Sequence, residues 1–98
     1  MNGCVVVTGS AHGIGTSIAK AFLSTGARVL LVDVNEHMLD STTSALQETY
    51  GDRVFSVTAD LSSTAGIEKL VTAAKNLPNR VECIVNNAAD QTPGSTET

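Results

Sequence analysis

The chain has 98 residues, room for one domain with a single core. Apolar residues make up 42% of it and aromatics 3%, so that core must come from Val, Leu, Ile and Ala. With 6 Lys plus Arg against 10 Asp plus Glu, the net charge of -4 repels a phosphate backbone and argues against a nucleic-acid partner.

No apolar stretch approaches the roughly 20 residues of a membrane span, and no basic segment with an apolar run opens the chain; no membrane association and a cytoplasmic setting are expected. Cys4 and Cys83 are too few for a disulfide framework and lie in no CxxC pair, so both read as small buried hydrophobes. His12 and His37 show no metal-ligand spacing, and no metal site is expected.

The first predicted strand is Cys4 to Thr8. A helical segment follows, with Ile14, Ile18, Phe22 and Ala19 on one face and Gly26 where a left-handed cap is wanted. The second strand, Arg28 to Val32, leads to a helix with Leu39, Thr43, Leu46 and Tyr50 in register, Asn35 as its N-cap and Gly51 as its stop. Arg53 to Thr58 is the third strand. The third helix begins near Ser62 or Ser63, carries Ile67, Leu70, Val71, Ala74 and Leu77 on one stripe, and ends before Pro78. A fourth strand, Glu82 to Val85, closes the series.

These strands are continuous β-branched runs, as expected when a parallel sheet buries both faces, and the βαβαβαβ alternation predicts an α/β fold with parallel crossovers. Residues 1–90 are expected to form the ordered unit, and residues 91–98, polar and containing Pro93 and Gly94, a loop or frayed terminus.

Chemistry is concentrated at the ends of the strands. Thr8-Gly9-Ser10-Ala11-His12-Gly13-Ile14-Gly15 joins the first strand to a helix. In such a turn Gly9 allows a sharp exit, Gly13 lets a pyrophosphate approach the backbone, and Gly15 permits close helix packing. Unpaired N–H groups at the helix start would face the phosphates.

Asp33 ends the second strand, about 20 residues beyond the turn, where a carboxylate can accept hydrogen bonds from an adenosine ribose and repel a 2′-phosphate. It argues for NAD over NADP, the competing reading being a cap for the next helix. His12 points the other way, as a place for a phosphate-holding charge, but a neutral imidazole offers little of that, and it is read as an exposed turn residue. Asp60 and Leu61 follow the third strand, and Asn86-Asn87-Ala88-Ala89 the fourth; all would meet at the carboxyl edge of the sheet, where open α/β folds bind ligands.

Together these residues resemble the short-chain dehydrogenases and reductases over residues 3 to 90. The glycine-rich turn is similar to that family's TGxxxGIG, and Asn86-Asn87-Ala88-Ala89 to its NNAG, with Ala89 in place of Gly. The resemblance implies a Rossmann-type parallel sheet with helices on both faces and strand order 3-2-1-4. It further implies that Gly9, Ser10, Gly13, Ile14 and Gly15 line the pyrophosphate and nicotinamide side and that Asp33 binds the adenosine ribose. Asp60 and Leu61 would flank the adenine, Asn87 and Ala88 would contact the other ribose region, and Asn86 would mainly tie strands.

The family's catalytic Tyr and Lys, spaced YxxxK, and its catalytic Ser and Asn all lie beyond the NNAG strand, and this chain ends soon after it. Tyr50, the sole tyrosine, has Val54 at the fourth position after it and cannot replace them. No catalytic residue is expected in this chain, whose parent would be an NAD-dependent oxidoreductase of alcohols or carbonyls; a small-molecule substrate would be met only in the full-length parent. The alternatives are a non-enzymatic nucleotide-binding module, alone or as a truncated partner of a full-length subunit, and a flavodoxin-like domain whose glycine turn holds no ligand. An unpaired edge at Val81 to Val85 is expected to promote self-association.

Overall fold

The computed structural model describes residues 3–87. The expectations for Ala88, Ala89 and residues 91–98 therefore lie outside the described residues. Strands β1 (Cys4–Thr8), β2 (Arg28–Asp33), β3 (Val54–Thr58) and β4 (Val81–Val85) alternate with helices α1 (Gly13–Ser24), α2 (Glu36–Tyr50) and α3 (Thr64–Lys75). The strands form one four-stranded sheet in the order β3-β2-β1-β4, all pairs parallel. This is the Rossmann-type arrangement and strand order expected from the sequence.

The sheet is covered on both faces. Val5, Val7, Val29 and Leu31 pack with Ala19 and Leu23 of α1 and with Leu39 and Leu46 of α2. The alternate residues Cys4, Val6, Leu30 and Val32 turn to the other face, toward Leu70 and Ala73 of α3 and Leu77 just beyond its end. All of β1 and nearly all of β2 are buried, which explains their unbroken apolar runs, whereas β3 and β4 are edge strands with partly exposed residues. Glu82 and Ile84 of β4 are exposed, and β4 carries one extra residue against β1 between the Cys4–Val81 and Val5–Cys83 pairs.

Two helix faces differ from the periodic pattern. In α1 the buried residues are Gly15, Ala19 and Leu23, with Ile18 and Phe22 partly covered; Ile14 is 73% exposed. Gly15 packs so near the sheet that the buried stripe is centred on a side-chain-free position, one residue round from Ile14. In α3, which ends at Lys75 and so leaves Leu77 outside the helix, Leu70 and Ala73 face the sheet while Ile67 and Val71 are exposed, because Gly66 is the residue brought against the Asp60 backbone.

Local chemistry sets the helix ends. Gly26, at φ 96°, closes α1 in a Schellman motif, its N–H donating to Leu23 O and that of Ala27 to Phe22 O. Asn35 Oδ1 accepts the Met38 N–H to cap α2, and Ser63 Oγ accepts the Gly66 N–H to cap α3. Arg53 Nη1 donates to Leu23 O and Ala27 O, both at 2.8 Å, joining the end of α1 to the approach to β3. Among the described residues no helix is long and apolar enough to cross a membrane.

Candidate functional site

The chain runs outward from β1 to β2 and β3, then returns to place β4 on the opposite side of β1. Connections leaving β1 and β4 thus diverge, opening a crevice at their carboxyl ends. A cavity of about 680 Å³ lies there. Every strand end contributes to its wall: Gly9 after β1, Asp33 at the end of β2, Leu61 after β3 and Asn87 after β4.

The glycine-rich turn forms one side. Gly9 sits at φ 64°, a backbone conformation that L side chains rarely adopt, and sends the chain off β1 into α1. Gly13 lines the cavity, and a Cβ added there would meet nothing within 4 Å. A Cβ on Gly15 would strike the Gly9 carbonyl and come to 2.8 Å from Asn87 Nδ2. Gly15 therefore acts beneath the turn, while Gly13 keeps the cavity side open. Ile14 also lines the cavity, which accounts for its exposure.

Asp33 forms the facing wall although it is only 5% exposed. Its Oδ2 accepts the Ala11 N–H at 3.0 Å and its Oδ1 the Asn35 N–H at 3.1 Å, so the carboxylate clamps the glycine-rich turn to the β2–α2 connection. It does not take over capping of α2, which falls to Asn35. An ionised carboxylate has about four acceptor positions, and these two bonds leave capacity for further donors. His12 Nε2 stands 3.9 Å from Asp33 Oδ2.

The remaining expected residues divide. Leu61 and Asn87 line the cavity. Ser10 does not present its side chain: it is fully buried, and its Oγ donates to Val32 O at 3.2 Å, so any contact it makes with a ligand is through its backbone. Asp60 lies beside a shallower neighbouring hollow with Lys69. Its carboxylate accepts from the Ser62 hydroxyl at 2.6 Å and the Ser62 N–H at 3.0 Å, and these bonds, the hydroxyl first, hold its pKa below the ordinary value.

Thr8 ties the β1 and β4 ends. Its hydroxyl donates to Asn86 Oδ1 at 3.1 Å and accepts the Asn87 N–H at 2.9 Å.

Sequence reasoning overlooked Arg53, which ties the end of α1 to the amino edge of the sheet, opposite the cavity, Gly66, whose close approach to the Asp60 backbone seats α3, and the contribution of Ala59 and Val34 to the cavity. A signal existed for Gly66 in the Ser63-x-x-Gly66 cap; none existed for Arg53, whose partners lie 26 and 30 residues away. Tyr50 packs against the α1 and α2 side of the core and beneath the Arg53 guanidinium, away from the cavity. No group of three or more metal-ligating side chains occurs among the described residues.

Comparisons with known proteins agree with this architecture. The short chain dehydrogenase profile matches residues 3–98. The chain is 41% identical over 83 residues to 3beta-hydroxysteroid dehydrogenase 2 of Eggerthella lenta, covering 85% of this chain and 32% of that protein. It is 35% identical over 89 residues to the L-fucose dehydrogenase of Oryctolagus cuniculus, covering 91% and 30%. L-sorbose reductase from Gluconobacter frateurii, solved with NADPH and L-sorbose, superposes with a TM-score of 0.84 at 31% identity, over 93% of this chain and 35% of that one. The chain thus spans about a third of the length of these relatives. The glycine turn, the parallel 3-2-1-4 sheet and the profile match over residues 3–98 place the chain in the short-chain dehydrogenase family.

Proposed function

We propose that this chain is the nucleotide-binding part of a short-chain dehydrogenase or reductase acting on an alcohol or carbonyl, and that its cavity holds NAD in preference to NADP. The carrying observation is Asp33: a nearly buried carboxylate on the cavity wall, facing a glycine turn whose Gly13 opens toward the same space. The residues fit the cofactor. Gly9, Gly13 and Ile14 would border the pyrophosphate and nicotinamide side, with Ser10 and Gly15 supporting the turn through their backbone. Asp33 would accept from the adenosine ribose hydroxyls, Leu61 would flank the adenine with Asp60 beyond it, and Asn87 with Ala88 would meet the second ribose.

NAD supplies the hydride acceptor of such a reaction. The chain's own residues bind and orient it. Asp33 makes the site selective because a 2′-phosphate would bring like charge against a carboxylate that two backbone N–H groups already hold in place. L-sorbose reductase was solved with NADPH, so the preference rests on Asp33 and not on likeness to that protein. Residues 1–90 would form this nucleotide-binding half, and proton transfer to the substrate would fall to residues outside the present chain.

A second reading, a nucleotide-binding module that does not catalyse, is favoured by one feature. Among the described residues the titratable side chains on the cavity wall are Asp33, committed to two N–H groups, and His12 beside it. Titrating the chain with NADH and NADPH, followed by cofactor fluorescence, tests the cofactor reading. NADH should bind tighter than NADPH, and Asp33→Asn should reverse or abolish the preference. No NADH binding, or identical binding by wild type and Asp33→Ala, overturns it. Reading the nucleotide sequence past Thr98 separates enzyme from module: an open frame reaching a YxxxK motif supports the first, a stop codon the second.

A further inference from the structure

α3 meets the wall of the cavity through a residue that has no side chain. Gly66 is the one residue of α3 that is buried, and a Cβ there would strike the Asp60 carbonyl oxygen and come to 2.6 Å from the Asp60 carbonyl carbon and 2.9 Å from the Asp60 nitrogen. Its φ is not positive, so the backbone would accept other residues and only the lack of space asks for glycine. Glycine is a poor helix former, so this close seat is kept at the expense of α3 itself.

The backbone that Gly66 presses against leads into the site. Ala59 and Leu61, on either side of Asp60, line the cavity, whereas Asp60, Ser63 and Gly66 border the neighbouring hollow. The turn between them is held at several points. The Ala59 N–H donates to Asp33 O at 3.0 Å and ties the turn to the end of β2. Asp60 O accepts the Ser63 N–H at 3.2 Å and the Ser63 hydroxyl at 3.0 Å, and Ser63 Oγ in turn accepts the Gly66 N–H at 3.0 Å. One hydroxyl thus fastens the turn to the first turn of α3. Leu61 is half-buried against the core cluster that contains Val32 and Ala59, so its place follows from the backbone on either side of it.

We propose that Ser63 and Gly66 are positioning residues for the adenine end of the cavity: the close seat of α3 on the Asp60 backbone, allowed by Gly66 and fastened by the Ser63 hydroxyl, sets where Leu61 meets the base. The inference rests on the dinucleotide reading above. Neither residue lines the cavity, so each acts through Leu61 and not by contact with the cofactor. A methyl group on Gly66 would force α3 and the turn apart, and Leu61 would move with the turn. Removing the Ser63 hydroxyl would release Asp60 O from the helix without adding an atom.

A double-mutant cycle on the 98-residue chain tests this, with NADH dissociation constants read from cofactor fluorescence. Gly66→Ala and Ser63→Ala should each weaken NADH binding roughly fivefold, a part of what the apolar contact of one leucine contributes. In a Leu61→Ala background neither should weaken it further, because substitutions that act through one side chain are not additive. Glu68→Gly weakens α3 at an exposed position away from the turn, and should leave NADH affinity as in wild type. Where Gly66→Ala does not fold by circular dichroism, the Ser63→Ala arm of the cycle decides by the same criterion.

NADH affinity unchanged by these substitutions, losses that persist in full in Leu61→Ala, or an equal loss from Glu68→Gly would overturn the proposal, while NADH binding by wild type and its dependence on Asp33 stand. A wild-type chain that does not bind NADH would overturn this inference and the cofactor reading together.

Discussion

Gly13 and Gly15 sit two residues apart in one turn, and the structure gives them different reasons to be glycine. A methyl group on Gly15 would collide with the Gly9 carbonyl, a backbone atom fixed by the φ 64° turn, and would press on Asn87 Nδ2 at 2.8 Å. Neither the turn nor α1 can retreat, because Ala19 and Leu23 are fully buried against the sheet. Overpacking of this kind costs about 1–3 kcal/mol. In a domain of this size about 2 kcal/mol corresponds to a fall in Tm of roughly 8–16 °C.

Gly13→Ala adds its methyl to open space at the start of α1, where alanine is the better helix former, so Tm should hold or rise slightly. Its effect should appear only with the dinucleotide, whose pyrophosphate would occupy that space; a loss of tenfold in NADH affinity corresponds to about 1.4 kcal/mol. Thermal melts followed by circular dichroism, with and without NADH, give both quantities. Gly13→Ala binding NADH as wild type would refute the cradle, and Gly15→Ala melting as wild type would refute the packing.

Arg53→Ala removes two 2.8 Å bonds from one guanidinium to Leu23 O and Ala27 O, and should lower stability in urea by about 2 kcal/mol with an unchanged m-value. Thr43 is buried in α2 with its hydroxyl unpartnered, so the near-isosteric Thr43→Val should raise stability by about 1 kcal/mol; a lower Tm would count against this. Burial pushes the Cys4 thiol above its ordinary value, outweighing the hydrogen bonds and the Arg28 charge that favour the thiolate. A pKa raised in the folded state gives stability that is full below the unfolded value and is lost as pH rises through the folded one. Unfolding free energy should therefore decline above about pH 9, the ordinary thiol value, and less steeply in Cys4→Ala. The outer edge of β4, with Ile84 64% exposed, predicts self-association of the 98-residue chain; sedimentation as a monomer at all concentrations would refute it.

Much of the site could be read from the chain because its signals are local. A β-branched run followed by Gly9 and a helical period marks a strand end whatever surrounds it, and Asp33 belongs to the carboxyl edge simply by ending β2. Caps behave alike: Asn35, Ser63 and Gly26 act within a few residues of themselves, and each acts at the expected helix end. The family's motifs lie on those same strand ends.

What tertiary structure decided was the direction of each side chain. Periodicity defines a helix face only to within a residue or so, and the close seat of Gly15 on the Gly9 carbonyl turned Ile14 outward to the cavity. Ser10 and Asp60 stand at the right edge, but Ser10 Oγ is taken up by Val32 O and the Asp60 carboxylate by Ser62. Such bonds depend on which groups converge in space. Sequence by itself determined the order of elements, the glycine turn and the carboxylate at the end of β2. Only the parallel crossover brought Ala11 and His12 to Asp33, because residues about 20 apart in the chain meet there through the sheet and through no local rule.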